Sequence, residues 1–190
     1  MATTEQGHSP RVTETPIPGF FEIDLDVRGD RRGWFKENYQ KEKLEALGLP
    51  SLEIVQNNVA YNASAGVTRG LHAEPWEKYI SVANGRVFGA WVDLRRGPSF
   101  ATTYWLEITP AKAVLVPRGV ANGYQTLDDH VTYIYLVTAH WSADAAYKSV
   151  NLFDPDVAVP WPIGPDAATV SERDAVQPGL AEVEPMDFDS

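Results

Sequence analysis

The sequence contains no cysteine, so it can form no disulfide and offers no thiolate as a metal ligand or nucleophile. No apolar run approaches the ~18–20 residues that cross a bilayer, and MATTEQGHSPRVTETPIPG has neither the apolar segment nor the basic leader of a signal peptide. Basic residues are few: 16 Lys and Arg stand against 26 Asp and Glu, giving a net charge of −10. Nucleic acid needs a basic face. We expect a cytoplasmic protein that binds neither membrane nor nucleic acid.

The sequence does contain a series of short β-rich segments separated by turn signals. They are residues 52–62, 78–94, 102–109, 112–119 and 130–141. Many short strands at close spacing predict an all-β sandwich or barrel of the jelly-roll type. A length of 190 residues fits one domain, so we expect a single domain over 1–190. Within it, residues 1–16 read as a flexible arm and the proline-rich residues 154–190 as a tail that wraps the barrel.

Local signals add four further predictions. Alternating apolar residues on both sides of Gly29-Asp30-Arg31 predict a hairpin. Good helix formers over 36–47, followed by Gly48, predict a short peripheral helix, and a second short helix is expected near 171–176. Asn84-Gly85 lies between two β-rich runs, which predicts a second hairpin.

Four histidines are available for chemistry, and one of them stands out. His8 lies in the arm and His130 follows two aspartates in a turn, so both are expected to be solvated; His140 is ambiguous. His72 lies in AGVTRGLHAEPWEKYISVANG, close to Arg69 and Lys78. A strand histidine is usually structural, but neighbouring buried cations need an anionic partner or a ligand. His72 is therefore the candidate functional histidine.

The residues around His72 disfavour a metal site and favour proton transfer. Glu74 is nearby, but no second histidine lies on the same strand, and Asn122 stands where a further histidine ligand would be expected. We predict neither a metal nor a cofactor. An imidazole titrates near neutral pH and can accept a proton from a carbon acid. Such a reaction also needs a carboxylate to orient the ring, a donor for the enolate oxygen and an acid on the opposite face. Spacing alone does not choose these partners.

Six pieces of sequence, in order, resemble the dTDP-4-dehydrorhamnose 3,5-epimerases. They are RGWFKE at 32–37, VQNNVAYNASAGVTRGLH at 55–72, KYISVANGRVFGAWVDLRRGPSF at 78–100, VPRGVANGYQTL at 116–127, TYIYLVTAHW at 132–141, and DPDVAVPWP with SERDA between 154 and 175. The resemblance spans roughly residues 19–176. It implies a cupin-type jelly-roll barrel, a homodimer, a dTDP-linked keto sugar as substrate and no cofactor.

The resemblance also implies roles for individual residues. The catalytic residues it implies are the base His72, the aspartate Asp174 that orients it, the acid Tyr135, and Lys78 beside the enolate oxygen. The substrate-binding residues it implies are Arg69, Gln56, Asn58, Asn122, Trp141 as the aromatic that stacks on thymine, and Arg32, Phe35 and Glu37 on an N-terminal strand that reaches the partner subunit's site.

Two departures from the family pattern leave the exact reaction open. The family's usual AHGF is ANGY here, so Asn122 replaces a histidine of the active site. The loop HAEPWEK between His72 and Lys78 is shorter than usual and is expected to bring Trp76 near the pocket mouth. We expect epimerisation of dTDP-4-keto-6-deoxyglucose at C3 and C5. The alternatives are a single-centre epimerase, a non-catalytic nucleotide-sugar-binding cupin and a metal-dependent cupin.

Overall fold

The computed structural model describes residues 9–188, in which thirteen short strands, two short α-helices and one 3₁₀ turn are formed. The strands are β1 Arg11–Glu14, β2 Phe21–Asp24, β3 Val27–Asp30, β4 Gly33–Lys36, β5 Gln56–Asn62, β6 Thr68–Ala73, β7 Lys78–Asn84, β8 Val87–Asp93, β9 Thr103–Ile108, β10 Lys112–Val116, β11 Val120–Thr126, β12 Val131–Val137 and β13 Lys148–Ser149. The helices are α1 Lys41–Ala46 and α2 Glu172–Ala175, and the 3₁₀ turn is Leu180–Glu182.

Two antiparallel sheets build the barrel. One has six strands in the order β1-β2-β10-β7-β12-β5, and the other has five in the order β13-β6-β11-β8-β9. Strands that are neighbours in the chain often lie in different sheets, as in a jelly roll. The hairpin β3-β4 forms a separate two-stranded sheet. The predicted all-β, cupin-type fold with short peripheral helices is confirmed.

The core lies between the two sheets, and further apolar layers cover their outer faces. Val82 of β7 and Trp91 of β8 belong to the central cluster, to which both sheets contribute. Tyr79 faces the opposite side of β7, where it packs with Leu44 of α1. The outer face of the five-stranded sheet is covered by the C-terminal segment, which includes Met186. Residues 78–82 of β7 are all buried, because both faces of the strand are covered, and its sequence KYISVAN accordingly shows no strict alternation of apolar and polar residues.

The hairpin prediction around residue 30 and the helix near 171–176 are confirmed as β3-β4 and α2. The helix predicted over 36–47 is shorter, because Lys36 still pairs with Val27 in the hairpin. Gln40 is extended, and its side chain accepts a hydrogen bond from Lys43 N, so the helix begins only at residue 41.

Two further expectations need correction. Asn84-Gly85 does not close a hairpin, because β10 and β12 occupy both edges of β7 while β8 pairs with β9 and β11. The tight turn instead carries the chain from one sheet to the other. In the expected arm 1–16, residues 11–14 form strand β1 along the edge of the six-stranded sheet. His8 lies outside the described residues.

Candidate active site

A cavity of about 210 Å³ opens between the two sheets at the position of His72. Its walls come from β5, β7 and β12 on one side, from β6 and β11 on the other, and from α2. The lining residues are Ala60, Arg69, Gly70, His72, Glu74, Lys78, Asn122, Tyr124, Tyr133, Tyr135 and Asp174. All four predicted catalytic residues are among them, together with Arg69 and Asn122.

Glycine at position 70 lets β6 approach β11 closely beneath this cavity. Its φ of +123° is in the region that favours glycine, and an added Cβ would lie 2.5 Å from Gly123 Cα and 2.7 Å from Asn122 O. In this register His72 lies directly opposite Asn122. The glycine of the RGLH tetrapeptide therefore positions the imidazole beside the asparagine that replaces the family histidine.

His72 and Asp174 form a hydrogen-bonded pair, although 102 positions separate them in the chain. Asp174 Oδ1 lies 2.8 Å from His72 Nε2, and the aspartate side chain is only 7% exposed. Ser171 caps α2 by accepting a hydrogen bond from Asp174 N at 3.1 Å, and Gly70 N donates to Asp174 Oδ2 at 3.4 Å. An ionised carboxylate can only accept, so His72 Nε2 carries the proton and Nδ1 keeps the lone pair.

Lys78 and Tyr135 occupy the opposite wall, on the six-stranded sheet. Tyr135 pairs with Ile80 across the β12–β7 ladder, so Lys78, two residues earlier on β7, faces the same side. The Lys78 ammonium lies 6.0 Å from the centre of the Tyr135 ring and forms an ion pair with Glu74. Burial, followed by the charge of Glu74, raises the pKa of the Tyr135 phenol, which therefore stays protonated at neutral pH.

The inner end of the cavity is closed by two stacked tyrosines. The rings of Tyr124 and Tyr133 are 4.0 Å apart and nearly parallel, and burial raises the pKa of both phenols. Tyr133 donates a hydrogen bond to Asn122 Oδ1 at 3.5 Å. Asn122 thus lines the cavity with an amide whose oxygen is engaged by Tyr133.

Arg69 is held in the cavity wall by a neutral partner. Its Nε donates to Asn62 Oδ1 at 3.1 Å, and Tyr124 OH donates to the same oxygen at 3.2 Å. Among the ion pairs of residues 9–188, none joins Arg69 to a carboxylate. An arginine oriented in this way can direct its terminal nitrogens to an anionic ligand.

The predicted residues Gln56, Asn58 and Trp141 lie beyond the lining of the cavity. Asn58 pairs with Tyr135, and Gln56 pairs with Val137, so both face the cavity side of β5. Gln56 Nε2 donates to Asn58 Oδ1 at 2.8 Å, and Gln56 Oε1 accepts from Trp141 N at 3.3 Å. The Trp141 side of this group is open, since that residue is 66% exposed.

The remaining predicted residues, Arg32, Phe35 and Glu37, do not line this cavity. Arg32 pairs with Asp30 at the tip of the β3-β4 hairpin, and Glu37 pairs with Lys43. Phe35 is 68% exposed. Within one chain, these side chains are therefore separate from His72.

The sequence analysis did not assign several of the lining residues to the site, although the spacing of two of them along a strand predicts that they face the cavity. Tyr133 precedes Tyr135 by two positions on a strand and so shares its face. Glu74 follows His72 at the same spacing, and the sequence analysis had considered it only as a metal ligand. Trp76, expected at the pocket mouth, is buried instead and packs edge-on against Tyr147 at 5.5 Å.

The comparisons with known proteins agree with this geometry. The sequence model of the dTDP-4-dehydrorhamnose 3,5-epimerases matches residues 14–182. This chain belongs to that family. A Streptococcus pyogenes serotype M6 protein named RmlC homolog is 50% identical to this epimerase over 177 residues, covering 90% of this chain and 89% of the relative. The Mycobacterium tuberculosis dTDP-4-dehydrorhamnose 3,5-epimerase is 33% identical over 181 residues, covering 91% and 89%.

A solved structure extends the likeness to the fold. RmlC from Streptococcus suis, in complex with dTDP-D-xylose, superposes with a TM-score of 0.89 at 47% identity, covering 95% of this chain and 96% of the other. The chain is thus an isomerase of the epimerase type. Within residues 9–188, no group of three or more His, Cys, Asp or Glu side chains is arranged to hold a metal ion. No helix in this part of the chain is long and apolar enough to cross a bilayer. The cytoplasmic location stays a prediction.

Proposed function

We propose that this epimerase inverts carbons beside the ketone of a dTDP-linked 4-keto-6-deoxyhexose, without a cofactor. His72 Nδ1 removes the proton from C5, and from C3 if both centres react. Tyr135 returns a proton from the other face of the ring. Support comes from the opposition of these two groups, since His72 on β6 and Tyr135 on β12 face one cavity from different sheets. Inversion needs a base and an acid on opposite faces of a flat intermediate.

The enolate oxygen that develops at C4 requires positive charge or hydrogen-bond donors. In our proposal Lys78 supplies the charge and Asn122 Nδ2 supplies a donor. Both line the cavity, Lys78 on the wall of Tyr135 and Asn122 beside His72. Arg69, with no carboxylate partner among the described residues, takes an anionic group of the nucleotide. Gln56, Asn58 and Trp141 extend the binding surface from the cavity toward solvent.

We further propose that the protein works as a single domain and as a homodimer. In the dimer, Arg32, Phe35 and Glu37 contribute to the partner subunit's site. The β3-β4 hairpin pairs with neither main sheet and exposes Trp34 and Phe35 to solvent. Exposed aromatics on a projecting hairpin are suited to an interface. Two sites related by a two-fold axis would each receive one hairpin.

The decisive test is incubation with dTDP-4-keto-6-deoxyglucose in D₂O, with deuterium located by NMR and mass. Wild-type protein should label each carbon that it inverts. His72→Asn should lose about 10²–10⁴-fold in turnover, because a positioned base contributes this much, while dTDP binding stays near wild-type. His130→Asn, an exposed histidine in a surface turn, is the matched control. Wild-type exchange by His72→Asn would refute the assignment of the base.

A single-centre epimerase is the second candidate, because Asn122 can donate a hydrogen bond but cannot carry a proton or a charge. In that case only one of C3 and C5 acquires deuterium. Tight dTDP binding without exchange at either carbon would identify a non-catalytic binding protein and overturn the enzymatic proposal.

A further inference from the structure

Glu74 is a buried carboxylate in the cavity that the roles proposed above do not use. It follows the last residue of β6, and its side chain is 13% exposed. Its backbone oxygen accepts a hydrogen bond from Gly119 N at 2.9 Å, which fixes the loop against the turn between β10 and β11. Its carboxylate forms an ion pair with Lys78, four positions on. The backbone of Glu74 is thus held by a hydrogen bond, and its carboxylate by the ion pair with Lys78.

Lys78 needs this partner more than a surface lysine would. Its side chain is 8% exposed, and a buried ammonium is costly unless an anion compensates it. Among the described residues, Glu74 is the carboxylate within ion-pair distance of Lys78. The other carboxylate in the cavity, Asp174, is engaged by His72. The cavity therefore holds two carboxylates, each with its own partner: Asp174 with His72, and Glu74 with Lys78.

We propose that Glu74 is a positioning residue of this active site, whose carboxylate holds the Lys78 ammonium beside the Tyr135 ring. This inference rests on the proposed function, because it assumes that Lys78 steadies the enolate oxygen. Glu74 acts through Lys78 and need not touch the sugar. The same carboxylate also helps to keep the Tyr135 phenol in its acid form, since its charge adds to burial in raising the pKa of that group.

A double-mutant cycle on Glu74→Gln and Lys78→Met tests this inference directly. Glu74→Gln should lower kcat by about 10–100-fold, within the range of a single electrostatic contribution, and leave KM and dTDP affinity within about twofold of wild-type. Lys78→Met should lower kcat at least as much. The double variant should be no slower than Lys78→Met alone, because Glu74 has no ammonium left to hold.

Two further variants separate positioning from a general structural role. Glu74→Asp keeps the charge and should recover part of the lost kcat. Glu77→Gln removes a carboxylate in the same loop that bonds Thr138 and does not line the cavity, so its kcat should equal wild-type. If Glu74→Gln does not fold, the kcat of Lys78→Met can still be compared with the kcat of the double variant, which contains no unpaired buried charge. A double variant slower than Lys78→Met would contradict the inference.

Multiplicative losses in the double variant would overturn the inference, as would wild-type kcat in Glu74→Gln. A different result would count against the proposed function itself. If Lys78→Met retained wild-type turnover, or His72→Asn retained wild-type deuterium exchange, then the roles assigned to the cavity would be wrong whatever Glu74 does.

Discussion

Asp174 determines which nitrogen of His72 can act as a base. Because the ionised carboxylate only accepts hydrogen bonds, it keeps the proton on Nε2 and leaves the lone pair on Nδ1. The same aspartate also accepts from the backbone of Gly70, the glycine that brings β6 against β11. One oxygen of the Asp174 carboxylate thus sets the tautomer of His72, and the other binds the backbone of the strand that carries His72.

Replacing this carboxylate by an amide tests the tautomer directly. Asp174→Asn can donate to Nε2, which moves the ring proton to Nδ1 and removes the base. We expect kcat to fall about 10²–10³-fold, with the dTDP dissociation constant nearly unchanged. The matched control is Glu172→Gln, an exposed carboxylate on the same helix, which should keep wild-type kcat. Steady-state kinetics and dTDP titration decide, and a wild-type kcat in Asp174→Asn would contradict the assignment.

At the scale of elements, Lys36 connects the β3-β4 hairpin to the barrel. Lys36, the last residue of β4, donates to Val82 O at 2.9 Å and to Pro110 O at 3.0 Å. Burial lowers the pKa of Lys36 to about 8. The neutral amine of Lys36 can still donate both hydrogen bonds. Deprotonation therefore removes the cost of burying a charge and keeps the hairpin bonded to the barrel.

The stability of the fold should therefore depend on pH through Lys36. Between about pH 8 and 10 the unfolded chain, with an ordinary lysine pKa of 10.5, binds more protons than the folded chain, so stability rises with pH. Relative to Lys36→Met, wild-type protein should gain on the order of 1 kcal/mol over this interval. Urea unfolding at several pH values measures the difference. Lys41→Met, at an exposed helix position, should parallel wild-type across the interval, and a constant difference between wild-type and Lys36→Met would contradict the prediction.

At the scale of the whole molecule, a net charge of −10 works against an anionic substrate. The cavity offsets this charge locally, because Arg69 lies in its wall without a carboxylate partner among the described residues, whereas Lys78 is already paired with Glu74. The exposed hairpin makes activity depend on dimerisation, because in our proposal its residues complete the site of another subunit.

A mixing experiment tests the proposed dimer. Phe35→Ser and His72→Asn should each be nearly inactive, with a mass of twice the 21.0 kDa chain in analytical ultracentrifugation. Co-expressed, half of the dimers combine the two chains, and each mixed dimer has one site free of both substitutions. Activity should then recover to roughly a quarter of wild-type under two-fold symmetry. Recovery no greater than the sum of the separate variants would contradict hairpin exchange.

The sequence by itself determined the fold class, the family and the candidate base, because six short motifs in a fixed order carry local information that survives without coordinates. Local signals also located the β3-β4 hairpin and the helix that contains Asp174. They failed at Asn84-Gly85, where a favourable hairpin turn joins two different sheets. A turn signal predicts local backbone geometry, but it does not predict whether the two strands that it joins will pair with each other or with other strands.

The resemblance had named Asp174 as the partner of His72, and the tertiary structure supplied the contact across 102 positions; the pairing of Glu74 with Lys78 in the same cavity came from the tertiary structure alone. The sequence does not show whether an aspartate or glutamate is solvated or buried. The role of a carboxylate depends on the groups that surround it in the folded protein. Close approach of β6 and β11 at Gly70, together with the packing of α2 against β6, decided which of 26 acidic residues face the cavity. Burial then makes those few pairs strong, because water no longer screens them.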